Sequence, residues 1–178
     1  AFVADILTTP EGELRAHLYR NGVREWIGVI LPDTITVPID YLNGPVEVTA
    51  VDDLGLLASI DYKDDDGTPL NEWDRIPSHV LRILRNLRTV DDWTTDAEYL
   101  RVYDHLTGGT ADAYQAETYR TQNISVHGNT FWTVDGNVYT FTNALDALEQ
   151  LALIMGARIF QAGGVWHFCP PWIADIST

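Results

Sequence analysis

Three two-residue steps, Asn21-Gly22, Asp135-Gly136 and Gly163-Gly164, each stand between runs of alternating apolar and polar residues. Such steps accept the positive φ angles of a tight turn, and the alternation sets one side of each strand against a core. The chain is thereby committed to antiparallel hairpins, in ELRAHLYRNGVREWIGVILP, TFWTVDGNVYTF and ARIFQAGGVWHFCP. PVEVTAV (Pro45 to Val51) adds an alternating strand after the Asn43-Gly44 turn, with Val46, Val48 and Ala50 on one side and Glu47, Thr49 and Val51 on the other. DTITVPID reads as an edge strand, because Pro38 has no N–H to give to a ladder.

Elsewhere the period changes. IPSHVLRILRNLRTV puts Val80, Leu81, Leu84 and Leu87 on one stripe, which predicts an amphipathic helix starting near Pro77 or Ser78. TNALDALEQLALIMG aligns Ala144, Leu145, Leu148, Leu151, Ala152 and Met155, with Thr142 or Asn143 as N-cap and Gly156 as the stop. TDAEYLRVYDHL (Thr95 to Leu106) is expected to form a shorter helix, and TGGTADAYQAETYRTQ an exposed connection broken by Gly108 and Gly109. The fold class is therefore α+β, antiparallel sheets and hairpins with two clear helices. It divides into a β-rich part over 1–70, a helical middle with its connection over 71–128, and a hairpin–helix–hairpin unit over 129–178, all in one compact fragment. The start at Ala1 and the end on WIADIST suggest a piece of a longer protein.

Composition narrows the function. With 46% hydrophobic residues among 178, a sizeable core is available. A formal charge of −15, from 26 acids against 11 bases, opposes any nucleic-acid partner, since phosphates need a basic surface. No run of apolar residues is long enough to span a membrane, and one cysteine, Cys169, excludes an internal disulfide. Arg82, Arg85 and Arg88 lie mostly off the stripe of the first helix and form a candidate docking face for an acidic neighbour; the alternative is a solvated face balancing the chain's own acids.

The stretch SIDYKDDDGTPL looks most like chemistry, with Asp61, Asp64, Asp65 and Asp66 around Lys63. Set as a helix–loop–helix calcium loop with Gly67 at its sixth position, it places Asp64 and Asp66 correctly but puts Tyr62 first and Trp73 twelfth, where carboxylates are needed. A weak, irregular metal site at Asp64 and Asp66 stands against the favoured reading, a solvated Asp66-Gly67 turn. Asp52-Asp53 and Asp91-Asp92 are adjacent, so their side chains diverge rather than face across a cleft. His17, His79, His105, His127 and His167 show no metal spacing, and a Cys169–His167 nucleophile lacks a helix N-terminus to lower the thiol pKa. No catalytic residue and no cofactor are expected, and the chain is read as not an enzyme. Among Trp26, Trp73, Trp93, Trp132, Trp166 and Trp172, an exposed ring could serve a carbohydrate-binding module, although Trp26, Trp132 and Trp166 sit in hairpin strands where rings complete a core.

Three segments carry a resemblance. The first holds Trp26, Gly28, Ile30, Pro32 and Asp33; the second Ala50, Asp52, Leu54, Leu57 and Tyr62. The third holds Ala147 (or Ala144), Leu148, Gly156, Ala157, Arg158, Ile159, Gln161, Gly164 and Trp166. In this order they resemble tail proteins of phages and prophages, of the baseplate or tail-tip hub type. The departure is Asp53, where glycine is usual, with Gly55 two places on. The resemblance implies a structural virion component of the tail, assembled in the host cytoplasm. It would contact other tail proteins and copies of itself, as a homo-oligomeric ring in the full-length protein. An acidic lumen would repel passing DNA.

Overall fold

A computed structural model describes residues 8–10, 12–36, 46–89, 100–103, 110–112 and 124–171, and the fold is α+β with mainly antiparallel sheets. β1 (Arg15–Arg20) and β2 (Val23–Ile30) pair antiparallel through a turn in which Asn21 (φ 52°) and Gly22 (φ 81°) both take positive φ, as a two-residue type I′ turn requires. The register shifts between Leu18 and Tyr19. β3 is only Ala50–Val51, shorter than the strand that alternation predicts; Val48 and Val51 remain exposed. The edge strand reduces to one bridge, Thr36 with Glu47, and Pro38 lies outside the described residues.

The first helix, α1 (Ile76–Leu84), begins one residue before Pro77, where the missing N–H costs nothing. Ile76, Pro77, His79, Val80, Ile83 and Leu84 are its buried positions, and Leu81 is only half-buried. The stripe is thus rotated toward Ile83 and takes in His79, because the helix packs on α2 as well as on its own preceding strand, β4 (Trp73–Arg75). Leu87 is buried past the helix end.

Two expectations are corrected. Leu100–Tyr103, predicted helical, is strand β5, and Thr110–Asp112, read as connection, is β6. Both belong to a four-stranded sheet of order β10-β11-β5-β6, made with β10 (Arg158–Ala162) and β11 (Val165–Cys169). β11 runs antiparallel to β10 but parallel to β5, the one departure from antiparallel pairing among the named strands. Flanked on both sides, β11 is buried along its whole length, which matches its nearly continuous apolar run. Pairing beside such a strand overrides the weak helical spacing of LRVY.

β7 (Ser125–His127) pairs with β4, tying the middle of the chain together. β8 (Trp132–Asp135) and β9 (Val138–Phe141) form the second hairpin, turning at Gly136 and Asn137, one residue later than the sequence suggests. Gly136 (φ 61°) supplies the positive φ at the first turn position. The second helix, α2 (Ala144–Met155), has the cap the sequence indicates: Asn143 Oδ1 accepts the Asp146 N–H at 2.8 Å, and Gly156 closes it in the left-handed region. One core cluster runs from Leu57 and Tyr62 through Val80 and Leu84 to Leu148, Trp166 and Phe168, so all three predicted parts of the chain share it. No helix among the described residues is long and apolar enough to cross a membrane.

Candidate functional site

The acidic stretch folds on itself. Asp64 N–H donates to Thr68 O at 2.9 Å, and Gly67 N–H to Asp64 O at 2.8 Å. Asp66 Oδ1 accepts from the Thr68 amide at 2.9 Å and the Thr68 hydroxyl at 2.6 Å. These two bonds, the hydroxyl's first, hold the Asp66 carboxyl below its ordinary pKa. Asp64 Oδ1 accepts the Asp65 amide and the Arg82 guanidinium. An open hollow of about 280 Å³ lies between this turn and the end of α1, with Asp61, Lys63, Asp64, Arg82 and Asn86 on its walls. Both carboxylates proposed from the sequence as a metal pair are therefore engaged by internal donors. Among the described residues no group of three or more His, Cys, Asp or Glu side chains is placed to hold a metal ion.

The three arginines of the candidate docking face have different duties. Arg82 is clasped by Asp64 and lies 3.9 Å from Glu72. Arg88 Nη2 donates to Asp53 Oδ1 at 2.5 Å, and its backbone N–H to Asp53 Oδ2 at 3.0 Å. Arg15 in turn donates to Arg88 O at 2.5 Å, so the pair also anchors β1. Arg85 is the exposed member.

Asp53 is 2% exposed and has φ 71°. Its backbone keeps the left-handed geometry for which glycine is the usual residue. The carboxylate compensates by holding Arg88. Its neighbour Asp52 turns away, accepting the Leu54 N–H at 3.2 Å, so the two carboxylates diverge as their adjacency predicts. Asp91 and Asp92 lie outside the described residues, as do His105, Trp93 and Trp172.

A buried polar group was missed by sequence reasoning. Tyr62 and His79 are almost fully buried, with Tyr62 Oη 2.5 Å from His79 Nδ1 and His79 Nε2 3.1 Å from Val126 O. A carbonyl only accepts, so Nε2 carries the proton, Nδ1 accepts and the tyrosine donates. Burial, the largest influence, pushes the Tyr62 phenol well above its usual range and pulls the His79 imidazole below its own. Phe131 packs edge-on against both rings. Such an arrangement is satisfied and closed; its only sequence signal was the burial implied by i, i+3 and i+4 spacing from Ile76 and Ile83.

His167 and Cys169 share the buried β11. His167 Nε2 lies 2.8 Å from Ala162 O, and its ring stacks on Phe160 at 5.3 Å. Burial pushes the Cys169 thiol upward, against the lowering effect of Arg158. The tryptophans divide: Trp166 is fully buried, Trp26 and Trp132 are half-buried, and Trp73 is 71% exposed. Trp132 Nε1 donates to Leu70 O at 2.6 Å.

The three segments carrying the resemblance are joined in space. Gln161 reaches from β10 to β2, where its Oε1 accepts the Ile27 N–H at 3.1 Å and its Nε2 donates to Ile27 O at 3.0 Å. Gly28 has no room for a side chain, since a Cβ there would sit 2.1 Å from the Trp26 ring and 2.3 Å from Val51 O. Gly164 is similarly pressed on Arg24 O. Tyr62 N–H donates to Thr142 O at 2.9 Å and Ala144 N–H to Ile60 O at 2.7 Å, joining the second segment to the start of α2. No family model, curated protein or solved structure matches the chain.

Proposed function

We propose that the chain is a structural piece of a phage or prophage-derived tail, of the baseplate or tail-tip hub type, working through contacts with other tail proteins and copies of itself. One observation carries the reading: the residues of the three resembling segments do architectural work. Gln161 clamps Ile27, Gly28 seats the Trp26 ring, and Tyr62 and Trp166 fill the common core. A second feature favours contact with other chains. Val134, Val138 and Tyr139 on the β8–β9 hairpin, and Leu153 and Ile154 at the end of α2, are all exposed. Exposed apolar side chains are the raw material of subunit interfaces.

In this reading the acidic surface keeps copies soluble until assembly, and no bond is made or broken. The test uses the purified protein. Electron microscopy of that product is expected to show closed rings, and antibodies against residues 129–171 should label the tail end of purified particles. A protein that stays monomeric at every concentration, with no label on particles, would remove the assignment.

A further inference from the structure

Trp73 is held in place yet left in water. In the β4–β7 pair, Trp73 stands opposite His127, Asp74 opposite Val126, and Arg75 opposite Ser125. Directly opposed residues share a face and the next pair takes the other. Val126 packs against the core, so Trp73, His127 and Ser125 look outward, while Nη1 of Arg75 is buried. The Trp73 and His127 rings meet edge-on, with centroids 5.2 Å apart and planes at 90°, which restrains the indole before any ligand arrives. His127 Nδ1 accepts the Asn129 N–H at 3.1 Å, so the neutral imidazole carries its proton on Nε2, as a donor.

The face has one broad aromatic ring and otherwise hydrogen-bonding side chains. Tryptophan is also common in protein interfaces, and the sedimentation outcome below separates that use from a sugar site. A phosphorylated, nucleic-acid or acidic polysaccharide ligand would meet a chain of net charge −15. A neutral pyranose has the matching character, an apolar C–H face to lie on the indole and a rim of hydroxyls for the neighbours.

We propose that the Trp73 face of the β4–β7 sheet is a binding site for a neutral saccharide. Trp73 supplies the stacking surface, and His127 Nε2–H and the Ser125 hydroxyl bond to sugar hydroxyls. The site is independent of the tail assignment and stands or falls by its own experiment. Cellotetraose, maltotetraose, mannotetraose and tri-N-acetylchitotriose are titrated into the chain, and the indole N–H signals of Trp73, Trp132 and Trp166 are followed by NMR. At least one sugar should move the Trp73 signal saturably, with half-saturation on the order of 1 mM, leaving Trp132 and Trp166 in place. Trp73→Ala should weaken binding by about tenfold or more with the melting temperature unchanged, whereas Trp73→Phe keeps part of it, and His127→Ala should also weaken it. The proposal is overturned if none of the four sugars moves the Trp73 signal at roughly 20 mM, or if Trp73→Ala binds as well as the parent. It is also overturned if Trp73→Ala instead abolishes self-association seen by sedimentation, which would give the ring to a protein contact.

Discussion

At Asp53 a side chain occupies a backbone conformation that normally belongs to glycine, and the reason lies 35 positions away at Arg88. Arg88→Met would strand a nearly fully buried carboxylate, and the loss of one partner of such a pair costs about 3–5 kcal/mol. The urea midpoint should fall accordingly. Asp53→Gly relieves left-handed strain of about 1 kcal/mol but leaves the guanidinium without its carboxylate, so it too should destabilise. A net gain would show the ion pair to be worth less than the strain. The departure from the resembling pattern was visible in the sequence, but the pairing that explains it was not, since nothing local links residues 53 and 88. His79 gives a second expectation at this scale. Its imidazole is held below its ordinary value of 6.5, because burial outweighs the favourable Val126 carbonyl and the nearby Asp74 and Glu72. The folded pKa lies beneath the unfolded one, so this contribution is complete above about pH 6.5 and is lost as the pH falls through that value toward the folded pKa. Denaturation followed between pH 7.5 and 5 should show falling stability, and His79→Gln should flatten the curve even if it lowers it throughout. Equal slopes in both proteins would place the acid sensitivity elsewhere.

Among the elements, what could be read in advance followed from short-range rules. The three hairpin turns and the caps of α2 depend on residues within four positions of each other, and they stand where the spacing put them, to within one residue at Gly136. β5 fails that test: LRVY carries no strong local preference, and its strand state comes from lying parallel to β11, some 65 residues later. The docking of β2 on β10 is of the same kind. Ile27 is fully buried at an edge of β2, and its N–H and C=O find their partner in a side chain, that of Gln161. Gln161→Leu keeps the bulk and removes both bonds, costing about 1–3 kcal/mol for each buried group left unpaired. Hydrogen exchange offers the sharper readout. The Ile27 amide should lose protection while amides of β11 keep theirs. If Ile27 stays as protected as before, the two sheets are held by packing alone.

Over the whole molecule the excess of acids bears on how copies would meet in the proposed assembly. A basic α1 face opposite an acidic neighbour was one reading and a face balancing the chain's own acids the other; Arg82 and Arg88 are paired with Asp64 and Asp53 inside the same chain. The sequence shows where charges lie along a helix but not which of them the fold will use, and this is why the candidate site was only half legible. With Arg85 as the exposed arginine of the three, the charge left for contacts is mostly of one sign. In the proposed assembly copies would repel at long range and attract through exposed apolar side chains such as Val138, 67% exposed, and Leu153, 82% exposed. Screening with a Debye length near 10 Å at 0.1 M shrinks the repulsion without touching the apolar term. Self-association measured by sedimentation should therefore strengthen as salt rises from about 0.02 to 0.5 M. Leu153→Asp and Val138→Asp should each reduce it without lowering the melting temperature, and Arg85→Glu should change it little. Association that weakens with salt, or that vanishes with Arg85→Glu, would return the contact to pairing between opposite charges, with Arg85 at its centre.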